Sequence, residues 1–456
     1  MEKEILDNHA TVSAAYARFI EYAIGQQQCL GRLDLLDDDL PPMLRHYQFG
    51  LHSWPWFISP ATRAMLEACV SRIPALVMRA VLLEFGRDTR RFSEFYKLAD
   101  IIGEMVLAGG LQTEFVCQRT DAILTGKGLK IVELNLGFTV GGWQIQWMDQ
   151  QYRKQRELQP FIDGMACHSR NIPYGYMSYL IRSVRKQKAH AADGKINVAF
   201  IINADFFGQD GVRMIGSIFE QALADHGEVG AIHFRTDLSE LVFRADGVYL
   251  AGERLGAIVS AHDAPPAELF RASVTGQIIW SDNALQWVLA DKRSLALLYR
   301  HRKHASFSED DRRIIEQFLP WATPLRPGKV EFEGQLEDLP SLLLRDKDRF
   351  VIKVAMGGKG DDVFVGKYQS TQDWIRLVMR GLSSGNWLVQ EFCQSLPFYG
   401  QHGEHGFGIF NVVWGVYGFG DQYSGCWLRL MERGAGGGII NSDKGAEESI
   451  VYEVAD

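Results

Sequence analysis

The spacing of apolar positions changes along the chain, and with it the element that each stretch predicts. Up to about residue 100, ATVSAAYARFIEYAIG and SPATRAMLEACVSRIPALVMRAVLLEF carry apolar residues at helical spacing, with Ser59 and Pro60 as start signals for the second helix. Between them, DDDLPPMLRHYQFGLHSWPWF is rich in proline and aromatic residues. It reads as a loop that either lines a pocket or packs its rings beneath the surface. At 114–135 the period falls to two: EFVCQRTDAIL, the turn TGKG and LKIVELN predict a β-hairpin. Residues 151–190 read as polar helix, and RSVRKQKAHAADGK (182–195) as a solvated linker whose basic cluster is a surface face.

A new unit begins at 196. INVAFIIN predicts a buried parallel strand, GVRMIGSIFEQALADHG a helix ended by Gly227, GAIHF the next strand, and LVFRADGVYLAGERLGAIVS a hairpin leading into a third. This β–α–β alternation implies a small open parallel sheet. No G-x-G-x-x-G follows its first strand, so a dinucleotide is not expected there. Further on, LQWVLADKRSLALLYRHRK and FSEDDRRIIEQFLPW read as helices, and 349–456 as mostly strand with glycine-rich connections. The fold class is α/β in the α+β sense.

Composition narrows the function. A chain of 456 residues, 46% hydrophobic and 23% charged, can bury a substantial core in several units. A net charge of -8 and a pI near 5.9 argue against a general nucleic-acid binder, so any phosphate site must be local. Six cysteines without a C-x-x-C pair suit a reduced cytosolic protein better than a disulfide scaffold or a zinc site. The N-terminus lacks a basic start before an apolar core, and no run approaches the roughly 20 apolar residues of a membrane span. A soluble, unexported, cytoplasmic chain is expected, with neither nucleic acid nor membrane as partner.

Two stretches carry candidate chemistry. In RFVIKVAMGGKGDDVFVGK (349–367) a β-rich run delivers Lys353 just before a loop with Gly357, Gly358 and Gly360, and NWLVQEFC (386–393) follows with Gln390 and Glu391. This is the order of a nucleotide clamp: a point charge for phosphate oxygens, glycines that let backbone N–H groups approach them, and a later strand for an adenine edge. The second is Asp121, Glu133 and Asn135. Glu133 and Asn135, two apart on one strand, face the same way, and the hairpin can return Asp121 beside them. Two carboxylates and an amide oxygen suit one or two Mg²⁺ ions that share their shell with phosphate; as strand-end polar residues they could equally be structural. Arg119, two before Asp121, lies on the same face, where its fork could stabilise a transferring phosphoryl group.

Taken in order, R-x-D, a hairpin with E-x-N-x-G, a small α/β unit, a D-K-x-x-L-A-L-L helix (Asp291, Lys292, Leu295 to Leu298), V-I-K with GGKG, L-V-Q-E, and SGCWLRLMERGAGGGIINSDKGA (424–446) resemble the circularly permuted ATP-grasp ligases. The glutathionylspermidine synthetase-like group is the nearest named relative, and the resemblance covers roughly 115–456. It implies a helical N-terminal region (1–100), a permuted ATP-grasp segment with the metal-ligand hairpin (101–195), a small Rossmann-like pre-ATP-grasp unit (196–284), and a segment with the lysine, glycine-rich loop and adenine strand (285–456).

Position by position, the resemblance implies that Lys292 and Lys353 hold ATP phosphates under a loop formed by Gly357, Gly358, Lys359 and Gly360. It assigns adenine to backbone groups of Gln390, Glu391 and Phe392, Mg²⁺ to Asp121, Glu133 and Asn135, and the transferring phosphoryl group to Arg119 and Arg429. Two positions depart from the family: the loop runs on into Asp361 and Asp362, and LADK replaces the more usual asparagine before the lysine. The implied reaction joins a small carboxylate to a small amine (an amino acid, short peptide or polyamine) through an acyl-phosphate, with no nucleophilic side chain required. The bifunctional relatives' cysteine amidase domain has no counterpart in the short N-terminal helical region.

Other readings stay open. The acceptor could be a peptide or carrier-bound intermediate, or the chain could be a regulator that binds ATP without turnover. His402, Glu404 and His405 in HGEHG could be a metal cluster, a substrate-loop contact or ordinary loop. Lys359 could touch the β- and γ-phosphates or be solvated, and Trp143, Trp147 and Trp280 read as packing residues rather than stackers. Substrate selection falls on 30–60, 143–180 and 395–410, where side-chain identity gives no code, and subunit number is not encoded legibly.

Overall fold

Strand Cys117–Thr125 turns back at Gly126 and Lys127 into strand Gly128–Leu136, with Gly128 at φ 90° where an L side chain would be strained. The computed structural model describes residues 2–25, 33, 44, 47–108, 112–202, 204–260, 265–358, 360, 362–402 and 406–455. This hairpin is the edge of the largest sheet. Its first strand pairs antiparallel with Gly406–Phe419, followed by Gln422–Glu432, Glu447–Glu453 and the short parallel strand Trp56–Ile58. An early hairpin and the last three long strands of the chain therefore share one sheet. Trp56–Ile58 falls in a stretch the pattern assigned to loop within a helical region; three residues are too few to show a period of two.

The second sheet is parallel throughout, in the order Ile279–Trp280, Ala257–Ser260, Ile196–Ile201, Gly230–Arg235, as the alternation between 196 and 260 predicts. Its helix is longer than expected, Ala204–Asp225, and Gly208 at φ 63° breaks its helical geometry near the start. The third sheet is antiparallel: Ala322–Pro324, Trp387–Glu391, Phe350–Val354, Val363–Val365. It has its own core, in which Trp321, Phe350, Trp374 and Trp387 are buried.

Three helices differ from the pattern. Thr371–Ser384 lies in the region read as strand and connection; Ser370 Oγ accepts from Asp373 N, and Trp374 buries its ring while donating Nε1 to the Leu343 carbonyl at 2.8 Å. The predicted helix through 285–303 is two, Leu285–Leu289 and Lys292–His301, because the Asp291 side chain caps the second by accepting from Arg293 N. The stretch 182–195 is linker only beyond Gln187, since helix Ile172–Gln187 carries its first part. In the N-terminal part, helix Pro60–Phe85 forms as expected, capped by Ser59, which accepts from Thr62 N, whereas the stretch 10–25 is divided at the extended Ser13 between helices Lys3–Val12 and Ala14–Gly25. Trp147 and Trp280 are buried, and Trp143 packs on Phe138. Among the described residues no helix is long and apolar enough to cross a membrane.

Asp282 joins the parallel sheet to the end of the hairpin. Its Oδ1 accepts from Phe138 N at 3.0 Å and its Oδ2 from Ser281 Oγ at 2.9 Å, and among the described residues no cation pairs with it. Burial outweighs these bonds and pushes the carboxyl up from 3.8 to about 6. With the folded pKa above the unfolded one, the native state holds the extra proton between about pH 4 and 6, so stability falls as pH rises through that window. Asp282→Asn is expected to remove this dependence and to stabilise the protein at pH 7.5 by about 2 kcal/mol, read by urea denaturation at several pH values.

Candidate functional site

Antiparallel register builds one wall of the cleft. Asp121 stands opposite Glu133 and Arg119 opposite Asn135, so the four polar side chains singled out in the hairpin form one block. On the neighbouring strand Gly415 lies opposite Asp121, and a Cβ there would come within 3.0 Å of Arg119 Cδ and 3.2 Å of Trp427. The glycine thus makes room for the guanidinium. Arg119 Nε donates to Asp121 Oδ1 at 2.8 Å and Nη1 to the Val140 carbonyl at 2.6 Å. Arg429, 308 positions from Asp121 in sequence, donates from Nη2 to Asp121 Oδ2 at 2.6 Å. Burial alone would raise the Asp121 carboxyl, but Arg119 and Arg429 hold it down to about 2. Both guanidinium carbons also lie 5.0 Å from the Trp427 ring.

The facing wall comes from the third sheet. Lys353 is buried, and its Nζ donates to Gln390 Oε1 at 2.6 Å and across the cleft to the Val132 carbonyl at 3.0 Å. Burial lowers its ammonium from 10.5 to about 8, opposed by the Glu133 charge and assisted by Lys292. Lys292, in the first turn of helix Lys292–His301, reaches Glu133 Oε1 at 3.0 Å and donates to the Gly357 carbonyl at 2.8 Å. The two sheets are thus tied at Glu133 and Val132. The space between them, about 810 Å³, is lined by the apolar side chains of Ile123, Val132, Val351, Val363 and Ile439 beside these charged groups.

Gly360 borders this space at φ 72°, with its carbonyl accepting from Lys444 Nζ at 2.9 Å. Gly358 has no atom within 4 Å of an added Cβ, so a backbone approach there is open. Lys359 and Asp361 lie outside the described residues, as do Glu404 and His405 of HGEHG; His402 is described only through its backbone pairing with Gly406. Asp362 takes the main-chain bond from Val354 N at 3.1 Å. Gln390, Glu391 and Phe392 line the cleft, but Glu391 N donates to the Trp321 carbonyl and Phe392 N to the Arg349 carbonyl, each at 2.8 Å. The Cys393 N–H, one residue on, has no partner among the described residues.

The donor set can be tested against a hard divalent cation. Asp121, Glu133 and Asn135 offer only oxygen, which fits Mg²⁺, and the Asn135 Oδ1 is uncommitted because its amide donates from Nδ2 to the Arg119 carbonyl at 3.4 Å. Asp121 and Glu133 are at present neutralised by Arg119, Arg429 and Lys292, so a cation would compete with these contacts. Among the described residues no group of three or more His, Cys, Asp or Glu could hold a metal ion. The sequence reading overlooked Trp427, Gln144, Ser442 and Glu448, which lie behind the two arginines. Trp427, two before Arg429 in the same strand, was legible from the period of two; the others needed the tertiary pairing.

The chain matches no family model, and no curated protein matches it in sequence. In structure it resembles a glutathione synthetase-like effector from Globodera pallida, with a TM-score of 0.51 and 13% identity over 96% of this chain and 95% of that one. A second neighbour is described as a putative gamma-glutamylcysteine synthetase from Methylobacillus flagellatus KT, with a TM-score of 0.38 and 13% identity over 83% and 87%. The first likeness shows a shared overall fold, a mixed α/β architecture.

Proposed function

We propose that the protein is an ATP- and Mg²⁺-dependent carboxylate–amine ligase with an ATP-grasp fold in circularly permuted order. In this reading it resembles the glutathionylspermidine synthetase-like ligases. One observation carries the reading: Asp121 and Glu133, from an early hairpin, meet Lys292, Lys353, Arg119 and Arg429 around a single cleft with an apolar slot beside it. Four cations against the three carboxylates Asp121, Glu133 and Glu391 suit a polyanion that brings a divalent cation with it. The permutation would explain why the hairpin precedes the parallel unit in sequence yet shares a sheet with the last strands. The boundaries 1–100, 101–195, 196–284 and 285–456 belong to this proposal. The glutathione synthetase-like neighbour supports a peptide-forming chemistry.

In this reading the apolar slot takes adenine, with Gln390 to Phe392 and the open Cys393 N–H at its edge. Lys292 and Lys353 exchange their contacts with Glu133, Gly357, Val132 and Gln390 for phosphate oxygens under the glycine-rich loop of Gly357, Gly358, Lys359 and Gly360. Asp121, Glu133 and Asn135 would hold Mg²⁺, which neutralises phosphate charge. A substrate carboxylate oxygen then bonds to the γ-phosphorus as the bond to ADP breaks, while Arg119 and Arg429 stabilise the equatorial oxygens. An amine attacks the acyl carbon, phosphate leaves, and the amine gives up a proton to yield the amide. Five described cysteines, all buried and unpaired, accord with a reducing, cytoplasmic setting.

The direct test is ADP release by the purified protein with MgATP and pooled amino acids, short peptides and polyamines, with hydroxylamine added to trap the activated acid. Stimulated, Mg²⁺-dependent release supports the ligase; nucleotide binding without release under every condition favours the regulator. A pH series gives a second check. The buried Lys353 loses its proton above about pH 8, and phosphate binds the protonated form. The Kd for a non-hydrolysable ATP analogue is expected to rise by up to about tenfold per pH unit above 8, while Lys353→Arg stays flat. A flat wild-type profile to pH 9.5 in calorimetry removes Lys353 from the phosphate site.

A further inference from the structure

We infer that Glu448 is a positioning residue of this site, acting through the Trp427 indole on the guanidiniums of Arg119 and Arg429. The inference rests on the ligase reading and extends it to a residue that touches neither nucleotide nor metal. Glu448 is 1% exposed and stands opposite Arg429 in the sheet register. Its Oε2 accepts from Trp427 Nε1 at 3.0 Å and Gln144 Nε2 at 3.3 Å, and its Oε1 accepts from Ser442 Oγ at 2.6 Å. No cation pairs with it among the described residues. Burying a carboxyl with neutral partners alone is costly, and an apolar residue would fill a sheet interior at lower cost. What the carboxyl adds is a three-way tie between the strand Gln422–Glu432, the loop after the metal hairpin and the C-terminal turn.

Each tied element borders the arginines. The loop holding Gln144 also holds Val140, whose carbonyl receives Arg119 Nη1. Ser442 follows Asn441, which lines the cleft. Trp427 is the most direct link, because its ring lies under both guanidiniums. Among the described residues Arg429 makes one hydrogen bond, to Asp121, and its buried Nε has no partner. The indole face is therefore the second constraint on Arg429, and the bond to Glu448 fixes the plane of that face. An unfilled donor held in a defined plane is what a transferring phosphoryl group needs, and a tilt of the ring would misplace it before any nucleotide contact changed.

The test compares Glu448→Gln and Glu448→Leu in the full chain, reading kcat, KM for ATP, and calorimetric affinity for MgADP with and without aluminium fluoride as a mimic of the transferring phosphoryl group. Gln keeps an acceptor for Trp427 and a donor for Ser442 Oγ, and is expected to stay within about threefold of wild type. Leu is expected to lower kcat at least 30-fold and to lose the tightening by aluminium fluoride, with KM and MgADP affinity within about threefold. Should the Leu variant fail to fold, Trp427→Phe, which keeps a ring but no donor, is expected to show the same split. A kcat for the Leu or Phe variant within threefold of wild type, or a parallel loss of MgADP affinity, overturns the positioning role. Without any turnover the aluminium fluoride readout still decides. Failure of the wild type to bind nucleotide removes the ligase reading and this inference together.

Discussion

Glu133→Gln is expected to lower ADP formation at least about a thousandfold while leaving the melting temperature within a few degrees of wild type. The side chain is 24% exposed and belongs to no core, so its replacement by an isostere costs little packing. Its charge, in contrast, is central. Glu133 is bonded to Lys292 at 3.0 Å and is the main group opposing the effect of burial on Lys353. Without it the two buried ammonium groups of Lys292 and Lys353 lose the carboxylate that offsets their mutual repulsion, and the proposed metal set retains only Asp121, already shared by two arginines, and Asn135. Free nucleotide binding is therefore expected to persist or tighten, whereas Mn²⁺ bound in the presence of nucleotide, counted by electron paramagnetic resonance, is lost. Lys353→Ala is expected to fail in the opposite order, losing nucleotide affinity first. Turnover within tenfold of wild type in Glu133→Gln, with an unchanged Mg²⁺ requirement, would refute the assignment.

Which parts of this site could be read in advance follows from the range of each interaction. The hairpin was legible because a period of two and the TGKG turn are local, and the shared face of Glu133 and Asn135 follows from parity alone. The approach of Arg429 to Asp121 across 308 positions has no local signal; only the ordered resemblance pointed to it. Local signals were also misjudged. Ser370 and Gly385, in the left-handed conformation at φ 71°, bracket helix Thr371–Ser384 with ordinary start and stop residues, yet the surrounding β-rich pattern hid them. Asp291 falls within a stretch that reads as one continuous helix, although an aspartate two before Arg293 can cap as well as continue. Glu448 carried no signal at all. In EESIVYE one glutamate reads like its neighbour until the fold sets Glu448 opposite Arg429 and within a hydrogen bond of Trp427 Nε1, while Glu447 pairs with His52 at 2.6 Å.

Asp291→Ala is expected to be the most damaging single substitution for stability, at about 3–5 kcal/mol, a large share of the 5–15 kcal/mol that holds a typical domain together. Asp291 is 0% exposed and Arg293 2%. The carboxylate takes Arg293 Nε at 3.0 Å and Nη2 at 2.6 Å, and caps the helix through Arg293 N at 2.8 Å. Arg293 in turn donates to the carbonyls of Phe95 at 2.6 Å and Gly385 at 3.2 Å, and lies 4.2 Å from the Phe95 ring. The pair thus joins the N-terminal helices, the start of helix Lys292–His301 and the end of helix Thr371–Ser384. Alanine leaves a guanidinium buried with carbonyls only and removes the cap. Asp291→Asn keeps an acceptor for the cap and is expected to cost about 2 kcal/mol, and Asp291→Ala with Arg293→Met, which leaves no unpaired charge, should recover part of the loss. The urea midpoints of the three variants decide between a cap and an ion pair. Near-equal midpoints for Asp291→Asn and wild type would make the cap the larger contribution, whereas a double variant no better than Asp291→Ala would show that the unpaired charge was not what the single substitution exposed.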